Sequence, residues 1–239
     1  MSWLTDLVGI FSQKPAPVLA PAGQGPTQAE LAALVTAQKP ELVYPAKGCD
    51  CYAGTLTQAQ LVAAKAAGYT FIMHYYGGSA GKDLTRTSAI ATSALGMWCG
   101  AVYEVSGNTF SGDQGVIDAQ RALEFAAQVG QPKGSAIYFA VDTGINATPD
   151  VLAYFGSVAG LLRPAGYKVG AYGPGAVLKA TVVAGTVDYD WLGGAMGWPG
   201  SREYAGAAME QRLPHDVPGV TQVDDDIALR ECGLFQVTA

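Results

Sequence analysis

The chain has 239 residues, of which 49% are hydrophobic and 14% are charged, and its formal net charge is −6. This length is sufficient for one sizeable hydrophobic core, as in single α/β barrels. Phosphate binding requires clustered lysine and arginine, which the sequence does not show, so we predict no nucleic-acid partner. The four cysteines form no C-x-x-C motif and there are two histidines, so we also predict no metal site and no cofactor.

The N-terminal segment 1–14, MSWLTDLVGIFSQK, predicts an amphipathic helix. Its apolar residues recur at helical spacing, at Trp3, Leu4, Leu7, Val8 and Phe11. Such a stripe packs on its own domain or on a protein partner. The stretch is too short to span a bilayer, and it has neither a basic start nor a small-residue cleavage site. We therefore predict no transmembrane segment, and a chain made in the cytoplasm without a standard signal peptide.

Residues 15–41 predict a linker followed by a short helix. The stretch PAPVLAPAGQGP is rich in proline, glycine and alanine and indicates an extended segment. The stretch TQAELAALVTAQ after it predicts a short helix, with Thr27 at the N-cap and Glu30 three residues later. We place the main domain at residues 42–239.

From residue 42 onward, apolar runs of strand length alternate with alanine-rich helical stretches. The eight strand candidates are residues 42–50, 69–76, 96–104, 135–142, 167–173, 187–193, 207–213 and 220–228. The helical candidates are residues 57–68, 85–95, 113–130 and 148–166. This alternation predicts an α/β fold with a parallel sheet, namely a (β/α)8 TIM-type barrel with reduced helices late in the chain. An open doubly wound sheet is the alternative, but no G-x-G-x-x-G motif follows the first strand.

Carboxylates stand at or near the ends of four predicted strands. Asp50 ends the first strand, Glu104 the third and Asp142 the fourth. The eighth strand carries Asp224 and Asp226 on one face. Because α/β barrels have their active site at the C-terminal ends of the strands, these residues predict an acidic pocket there.

The two-residue period of a strand orients the side chains in two of these strands. In the fourth strand, Tyr138 and Ala140 share a face with Asp142. The other face is the bulkier aliphatic one and should pack on the helices; it carries Ile137, Phe139 and Val141. We therefore expect Asp142 to point into the barrel mouth. In the first strand, Cys49 and Cys51 lie on the face opposite Asp50, so we expect them to pack against helices as small hydrophobic residues.

An acidic pocket suits two kinds of chemistry. Glycoside hydrolysis needs one protonated and one ionised carboxyl group, and crowded carboxylates raise one another's pKa. Divalent metal ions also bind to oxygen ligands. Aromatic rings near the strand ends favour a sugar, whose C–H groups stack on them. The substrate-binding candidates are side chains at the predicted mouth, namely Tyr76, Tyr172, Trp191, Gln211 and Asp226.

Short motifs follow the predicted strands in order, and they include GCDCYAG, AAGYTFIMHYYGG, VYEV, GYKVGAYGPG, GWPGS and VDDD. Together they resemble the glycoside hydrolase-like domains of the domain-of-unknown-function type, which are relatives of the glycoside hydrolase family 25 lysozymes of actinobacterial and phage proteins. The resemblance implies a barrel similar to a peptidoglycan muramidase. It implies Asp142 as the general acid and Glu104 as the second carboxylate. Asp50 and Asp224 match positions that orient the N-acetyl group or polarise the attacking group.

One departure from the family 25 lysozymes leaves two functional hypotheses. Those enzymes carry Asp-x-Glu at the end of strand four, where this chain has Ala140, Val141 and Asp142. The first hypothesis is a glycosidase, similar to an endolysin, that acts on peptidoglycan at the cell wall or as part of a phage particle. The alternative is a catalytically weak or inactive barrel that binds glycan or serves as a structural part of a phage virion or cell-envelope assembly. A metal-assisted hydrolase is a third hypothesis, which the few histidines do not favour.

Overall fold

The computed structural model describes residues 41–51, 55–78, 81–104 and 109–238. The predicted N-terminal helix (1–14) and all but the last residue of the predicted linker segment (15–41) lie outside these ranges. The described residues from Leu42 onward form one compact unit. Among the helices described, none combines the length and the apolar character needed to cross a membrane.

Eight strands and five helices make up the described part of the chain. The strands are β1 (Ala46–Asp50), β2 (Phe71–Tyr76), β3 (Trp98–Tyr103), β4 (Ala136–Ala140), β5 (Lys168–Gly173), β6 (Tyr189–Leu192), β7 (Met209–Val217) and β8 (Thr221–Ala228). The helices are α1 (Gln58–Ala66), α2 (Arg86–Ala94), α3 (Gly112–Val129), α4 (Pro149–Leu162) and α5 (Gly175–Val183). All eight predicted strands and four predicted helices are confirmed. The sequence does not predict α5, which follows Pro174 and has no side-chain N-cap.

The strands close into a barrel in sequence order, which confirms the predicted α/β barrel. Strands β1 to β7 pair in parallel. The expectation of a wholly parallel sheet is wrong at β8, which is antiparallel to both β7 and β1. The reason is the connection between β7 and β8, residues 218–220, because so short a link makes a hairpin whereas a parallel crossover needs a dozen or more residues.

Local signals in the sequence explain where the helices begin and end. Thr57 with Gln60 and Thr85 with Ser88 form capping boxes at the starts of α1 and α2. At the end of α3, Gly130 takes the left-handed conformation (φ 77°), which glycine adopts without steric cost and which ends the helix. These ends fix the short loops that carry the chain from each helix into the next strand.

Large side chains fill the inside of the barrel opposite glycines. Tyr138 and Trp191 pack edge to face, with ring centroids 5.9 Å apart. A Cβ on Gly170 would overlap the Tyr138 ring, and one on Gly48 would overlap the Phe71 ring. The interior is therefore a packed floor beneath the mouth, with backbone and ring in direct contact.

The outward faces of the strands pack against the helices. Cys49 and Cys51 are buried in one such cluster, which also contains Leu61 and Ile72. This confirms their predicted role as small hydrophobic residues. Phe139 of β4 likewise packs outward, so the predicted alternation along that strand is also confirmed.

We expect Gly170→Ala to lower the free energy of unfolding by about 1–3 kcal/mol, because the added methyl group displaces the Tyr138 ring in a filled interior. Urea denaturation measures this change. Gly156→Ala is the matched control, since nothing lies within 4 Å of its added Cβ in helix α4. This control should be neutral or stabilising by up to about 1 kcal/mol. Unchanged stability of Gly170→Ala would contradict the packed floor.

Candidate active site

The C-terminal ends of the parallel strands surround a cavity of about 400 Å³. One side of it is acidic and the other is aromatic and apolar. Its lining residues are Asp50, Tyr75, Val102, Glu104, Asp142, Tyr172, Trp191, Gly194, Ala195, Trp198, Gln211, Arg212, Leu213, Pro214 and Asp224. The pocket therefore lies at the end of the barrel where the sequence predicts the site.

The register of β8 brings its carboxylates into this region. Asp224 lies opposite Asp50, the last residue of β1. Asp226 lies two residues further along, opposite Gly48 of β1 and Gln211 of β7. Because β8 is antiparallel, Asp224 in the middle of this strand lies at the mouth of the barrel. Asp226 lies one layer deeper in the barrel.

The structure brings together seven of the nine residues predicted for the site. All four predicted catalytic carboxylates line the pocket, as do Tyr172, Trp191 and Gln211. The other two predicted residues, Tyr76 and Asp226, do not line it. Asp226 has no exposed surface and lies beneath the pocket.

The assignment of Tyr76 to the mouth is wrong, because its position in β2 turns it toward the helices. It stacks on Phe125 of α3 at 5.5 Å and donates a hydrogen bond to Gln131 at 2.8 Å. Its neighbour Tyr75 takes the inward position and lines the pocket. His74, on the same face as Tyr76, is buried, and this burial lowers its pKa to about 4. His74 is thus neutral and lies away from the mouth.

Trp198, the tryptophan of the GWPGS motif, lines the pocket but is not among the substrate-binding residues predicted from the sequence. It lies in the connection between β6 and β7, where no strand period indicates the direction of a side chain. Its ring meets Tyr172 edge to face, with centroids 6.5 Å apart. A Cβ on Gly144 would touch Trp198, so a glycine in the loop after β4 leaves room for the indole.

Hydrogen bonds hold Asp50 in one orientation. The Tyr75 hydroxyl donates to Oδ1 at 3.2 Å and the Gln211 amide donates to Oδ2 at 2.7 Å. The Gln211 Oε1 accepts from the Tyr172 hydroxyl at 2.8 Å and from the Gly194 backbone at 3.2 Å. Because Oε1 accepts these two hydrogen bonds, the Nε2 amino group is the part of the Gln211 side chain that faces Asp50. The chain Tyr172–Gln211–Asp50–Tyr75 thus spans the floor of the pocket.

Burial makes the carboxyl groups of the site harder to ionise than ordinary ones. The pKa of Asp50 is raised to about 7: burial is the main cause and the charges of Asp224 and Glu104 add to it, while the hydrogen bonds from Gln211 and Tyr75 lower it. Burial also raises the pKa of Glu104, with a further contribution from the charge of Asp142. The pKa values of Asp142 and Asp224 are raised mainly by burial. The site therefore favours the protonated form of each of these carboxyl groups more than water does, and the pKa of Asp50 lies near neutral pH.

The opposite wall presents aromatic rings. The rings of Tyr172 and Trp191 lie 4.5 Å apart, and Trp198 extends this wall from the loop. Within the described ranges, no group of three or more histidine, cysteine, aspartate or glutamate side chains has a geometry suited to a metal ion. Acidic side chains facing an aromatic wall suit a neutral, hydroxyl-rich ligand with apolar faces.

A sequence model of the family described as Rv2525c-like, glycoside hydrolase-like domain matches residues 62–227. The chain belongs to this family. The glycoside hydrolase-like family was the one expected from the sequence motifs. No curated protein sequence matches the chain.

Solved structures place this glycoside hydrolase-like domain among the lysozyme folds. The Tat-secreted protein Rv2525c of Mycobacterium tuberculosis is 22% identical, with a TM-score of 0.68, and the match covers 80% of this chain and 98% of that chain. The lysozyme of Streptomyces coelicolor is 17% identical, with a TM-score of 0.53 and coverage of 77% and 92%. The autolysin LytC of Streptococcus pneumoniae, solved with a synthetic peptidoglycan ligand, is 15% identical, with a TM-score of 0.53 and coverage of 76% and 46%. At these identities the similarity establishes the fold.

The comparison with Rv2525c corrects the predicted location. The sequence led us to expect a chain made in the cytoplasm without a standard signal peptide. Rv2525c, which shares the fold of this chain, is a Tat-secreted protein, and this finding contradicts the expectation. The expectation is therefore wrong.

We expect Asp50→Asn to stabilise the protein at pH 8, by on the order of 2–4 kcal/mol. The folded-state pKa of Asp50, about 7, lies above its ordinary value of 3.8, so folding favours the protonated form. Stability from this group is present below pH 4 and is lost as the pH rises toward 7. Asparagine cannot ionise, so the gain should vanish near pH 4.

Urea denaturation between pH 4 and pH 8 measures this gain. The exposed carboxylate Glu203 supplies the control variant Glu203→Gln, for which no pH-dependent difference of this size is expected. A gain for Asp50→Asn that is equal at pH 4 and pH 8 would show that the carboxyl group does not titrate as described.

Proposed function

We propose that the chain is a glycoside hydrolase that cleaves bacterial peptidoglycan in the manner of a muramidase. The observation that carries this proposal is the pocket, in which four carboxyl groups face an aromatic wall. Burial raises the pKa of each of these carboxyl groups. Glycosidic bond cleavage needs a proton donor and an ionised carboxylate in one pocket. The lysozyme and autolysin similarities support peptidoglycan as the substrate.

Asp142 is the proposed general acid. It follows β4 at the rim, where it is more exposed than the other pocket carboxylates and within reach of an incoming substrate. Burial raises its pKa and so favours the protonated form, which can give its proton to the glycosidic oxygen as the bond to the anomeric carbon breaks. The same residue recovers a proton when water completes the hydrolysis.

Glu104 is the proposed second carboxylate. Burial and then the charge of Asp142 raise the pKa of Glu104, while Lys82 favours its ionised form. An ionised Glu104 stabilises positive charge at the anomeric carbon or activates the attacking water. Protonated Asp142 and ionised Glu104 are compatible states, because a proton on Asp142 removes the repulsion that an ionised Glu104 would otherwise meet.

Asp50 and Asp224 are proposed to hold the reacting sugar. Asp50 is fixed by Tyr75 and Gln211, so its carboxylate presents a constant geometry at the floor of the pocket. Asp224 lies directly opposite on β8. Carboxylates in these places accept hydrogen bonds from an N-acetyl N–H group or from hydroxyls, while Trp198, which is only partly buried, offers a ring to the sugar.

A catalytically weak glycan-binding barrel is the second candidate, and Ala140 is the observation that favours it. Ala140 lies on the inward face of β4, opposite Tyr172 of β5, where the family 25 lysozymes carry a carboxylate. This absence removes one acidic group from the reaction centre and leaves the recognition surfaces in place.

We expect Asp142→Asn and Glu104→Gln each to reduce the release of reducing ends from purified peptidoglycan by about 10²–10⁴-fold, the usual contribution of a general acid or base. The matched control is Asp216→Asn, an exposed aspartate on β7 outside the pocket, which should retain wild-type activity. Circular dichroism establishes that each variant is folded.

Wild-type protein that binds peptidoglycan in a sedimentation assay but releases no reducing ends between pH 4 and pH 8 would contradict hydrolysis. That result would support the glycan-binding candidate. Full activity in both variants would remove Asp142 and Glu104 from the proposed mechanism.

A further inference from the structure

The hairpin of β7 and β8 extends past the mouth of the barrel. Strand β7 has nine residues, whereas β6 beside it has four and pairs only with Met209 and Glu210 of β7. Among the described residues, the rest of β7 pairs with β8 alone. Every residue of β7 from 212 to 216 is exposed. This part of the hairpin, residues 212–224, therefore forms an arm along one side of the pocket.

An irregularity in the pairing of β7 with β8 gives this arm its pocket-lining residues. Gln211 lies opposite Asp226 and Pro214 lies opposite Asp224, so β7 advances by three residues where β8 advances by two. Such an extra residue is a bulge, which changes the direction of the side chains beside it. Leu213 and Pro214 follow each other in the chain, and both line the pocket. We call these two residues the apolar lip.

Leu213 presents its side chain to solvent at the mouth, with an exposed fraction of 76%. Among the exposed large hydrophobic residues of the described ranges, Leu213 is the one that lines the pocket. An isobutyl group forms no hydrogen bond with a hydroxyl-rich ligand, and it contributes to binding only when apolar surface covers it. The apolar lip therefore suits an apolar group attached to a ligand, next to the carboxyl groups that suit a sugar.

The arm is held at its tip as well as at the barrel. The Gln60 side chain of α1 donates a hydrogen bond to the Val220 carbonyl at 2.5 Å. Val217 and Val220 are buried in one cluster with Leu61 of α1. The apolar lip is thus in place before a ligand binds, so that little conformational entropy is lost when it does.

The chemistry of peptidoglycan offers a group that matches the apolar lip. Its sugars are hydroxyl-rich, but its muramoyl residues carry a lactyl ether that is joined to a short peptide. The alanyl methyl groups of this peptide are apolar, and its other residues supply carboxylates. Arg212, beside the lip, is the cationic residue of the pocket lining, and its guanidinium group stays largely exposed although it lies 2.7 Å from Glu210. An exposed cation beside an apolar lip is complementary to an anionic peptide that carries methyl groups.

We propose that the apolar lip is a specificity determinant that packs on the peptide of a muramoyl residue, so that the site selects glycan that still carries its peptides. This inference rests on the proposed function for the identity of the glycan. A sugar ring bound over Asp50 has its substituents toward the rim, where Leu213 and Pro214 lie, because protein fills the floor beneath it. The arm thus sets the choice of substrate, while the carboxyl groups carry out the reaction.

Binding of two soluble probes to the full chain tests this proposal without any cleavage. The first probe is N-acetylmuramoyl-L-alanyl-D-isoglutamine. The second is the methylamide of N-acetylmuramic acid, which keeps the lactyl group but lacks the peptide. We expect wild type to bind the first probe about tenfold more tightly, since covering one methyl group in a site is worth at least about that factor. NMR titration gives both dissociation constants.

Variants of one exposed residue separate the lip from the rest of the pocket. Leu213→Ala should bind the two probes with nearly equal affinity, because most of the apolar contact is lost. Leu213→Met keeps an apolar side chain of similar volume and should retain the preference. Val183→Ala is the matched control, since Val183 is 81% exposed on α5 and does not line the pocket. It should bind both probes as wild type does.

Equal affinity of wild type for the two probes would overturn the proposal. An equal loss of both affinities in Leu213→Ala would also overturn it, because the lip would then contact the sugar. The release of reducing ends from peptidoglycan tests the proposed function separately. A preference that depends on Leu213 without any cleavage refutes hydrolysis alone and leaves a barrel that binds peptide-bearing glycan. Cleavage without the preference refutes the role of the lip alone.

Discussion

The antiparallel pairing of β8 with β1 is the constraint on which the site depends. It places Asp224 opposite Asp50 at the mouth and Asp226 in the layer beneath. A parallel β8 would bring its C-terminal end, near Ala228, to the mouth and would turn Asp224 toward the opposite end of the barrel. The three-residue link from β7 to β8 is thus a functional feature as well as a topological one, because it decides which carboxylates meet.

The buried carboxyl groups at the bottom of the pocket lower the stability of the folded protein. Asp50 and Asp226 are buried, and burial raises both pKa values, so their ionisation above neutral pH weakens the folded state. The barrel offsets this with a filled interior, in which the Tyr138 and Trp191 rings pack against each other. Tyr75 and Gln211 compensate Asp50 in part through hydrogen bonds. Such unfavourable charge at a pocket is typical of a site selected for chemistry at the expense of stability.

Strand periodicity was sufficient to predict most of the barrel and the acidic mouth. It correctly turned Asp142 inward and Cys49 outward, because in these strands bulky and small residues alternate clearly. Periodicity did not show which of Tyr75 and Tyr76 points inward. The two residues are adjacent tyrosines, and the face that each one takes depends on the register of β2 with the neighbouring strands. The direction of β8 and the position of Trp198 depend on a hairpin and a loop, where periodicity carries no information. Asp226 is buried because it lies one layer below the mouth inside the barrel. That layer is defined by the pairing of all eight strands, so the sequence of β8 alone does not predict it.

The measurement that tests the central claim most directly is mass spectrometry of the soluble products from purified peptidoglycan after reduction with borodeuteride. Reduction places deuterium on the sugar whose glycosidic bond was cleaved. Cleavage by this acidic pocket in the manner of a muramidase predicts disaccharide-peptides that end in deuterium-labelled muramic acid. Label on glucosamine would contradict the bond assignment. Soluble fragments cut only within the peptide, or none at all, would contradict glycoside hydrolysis itself.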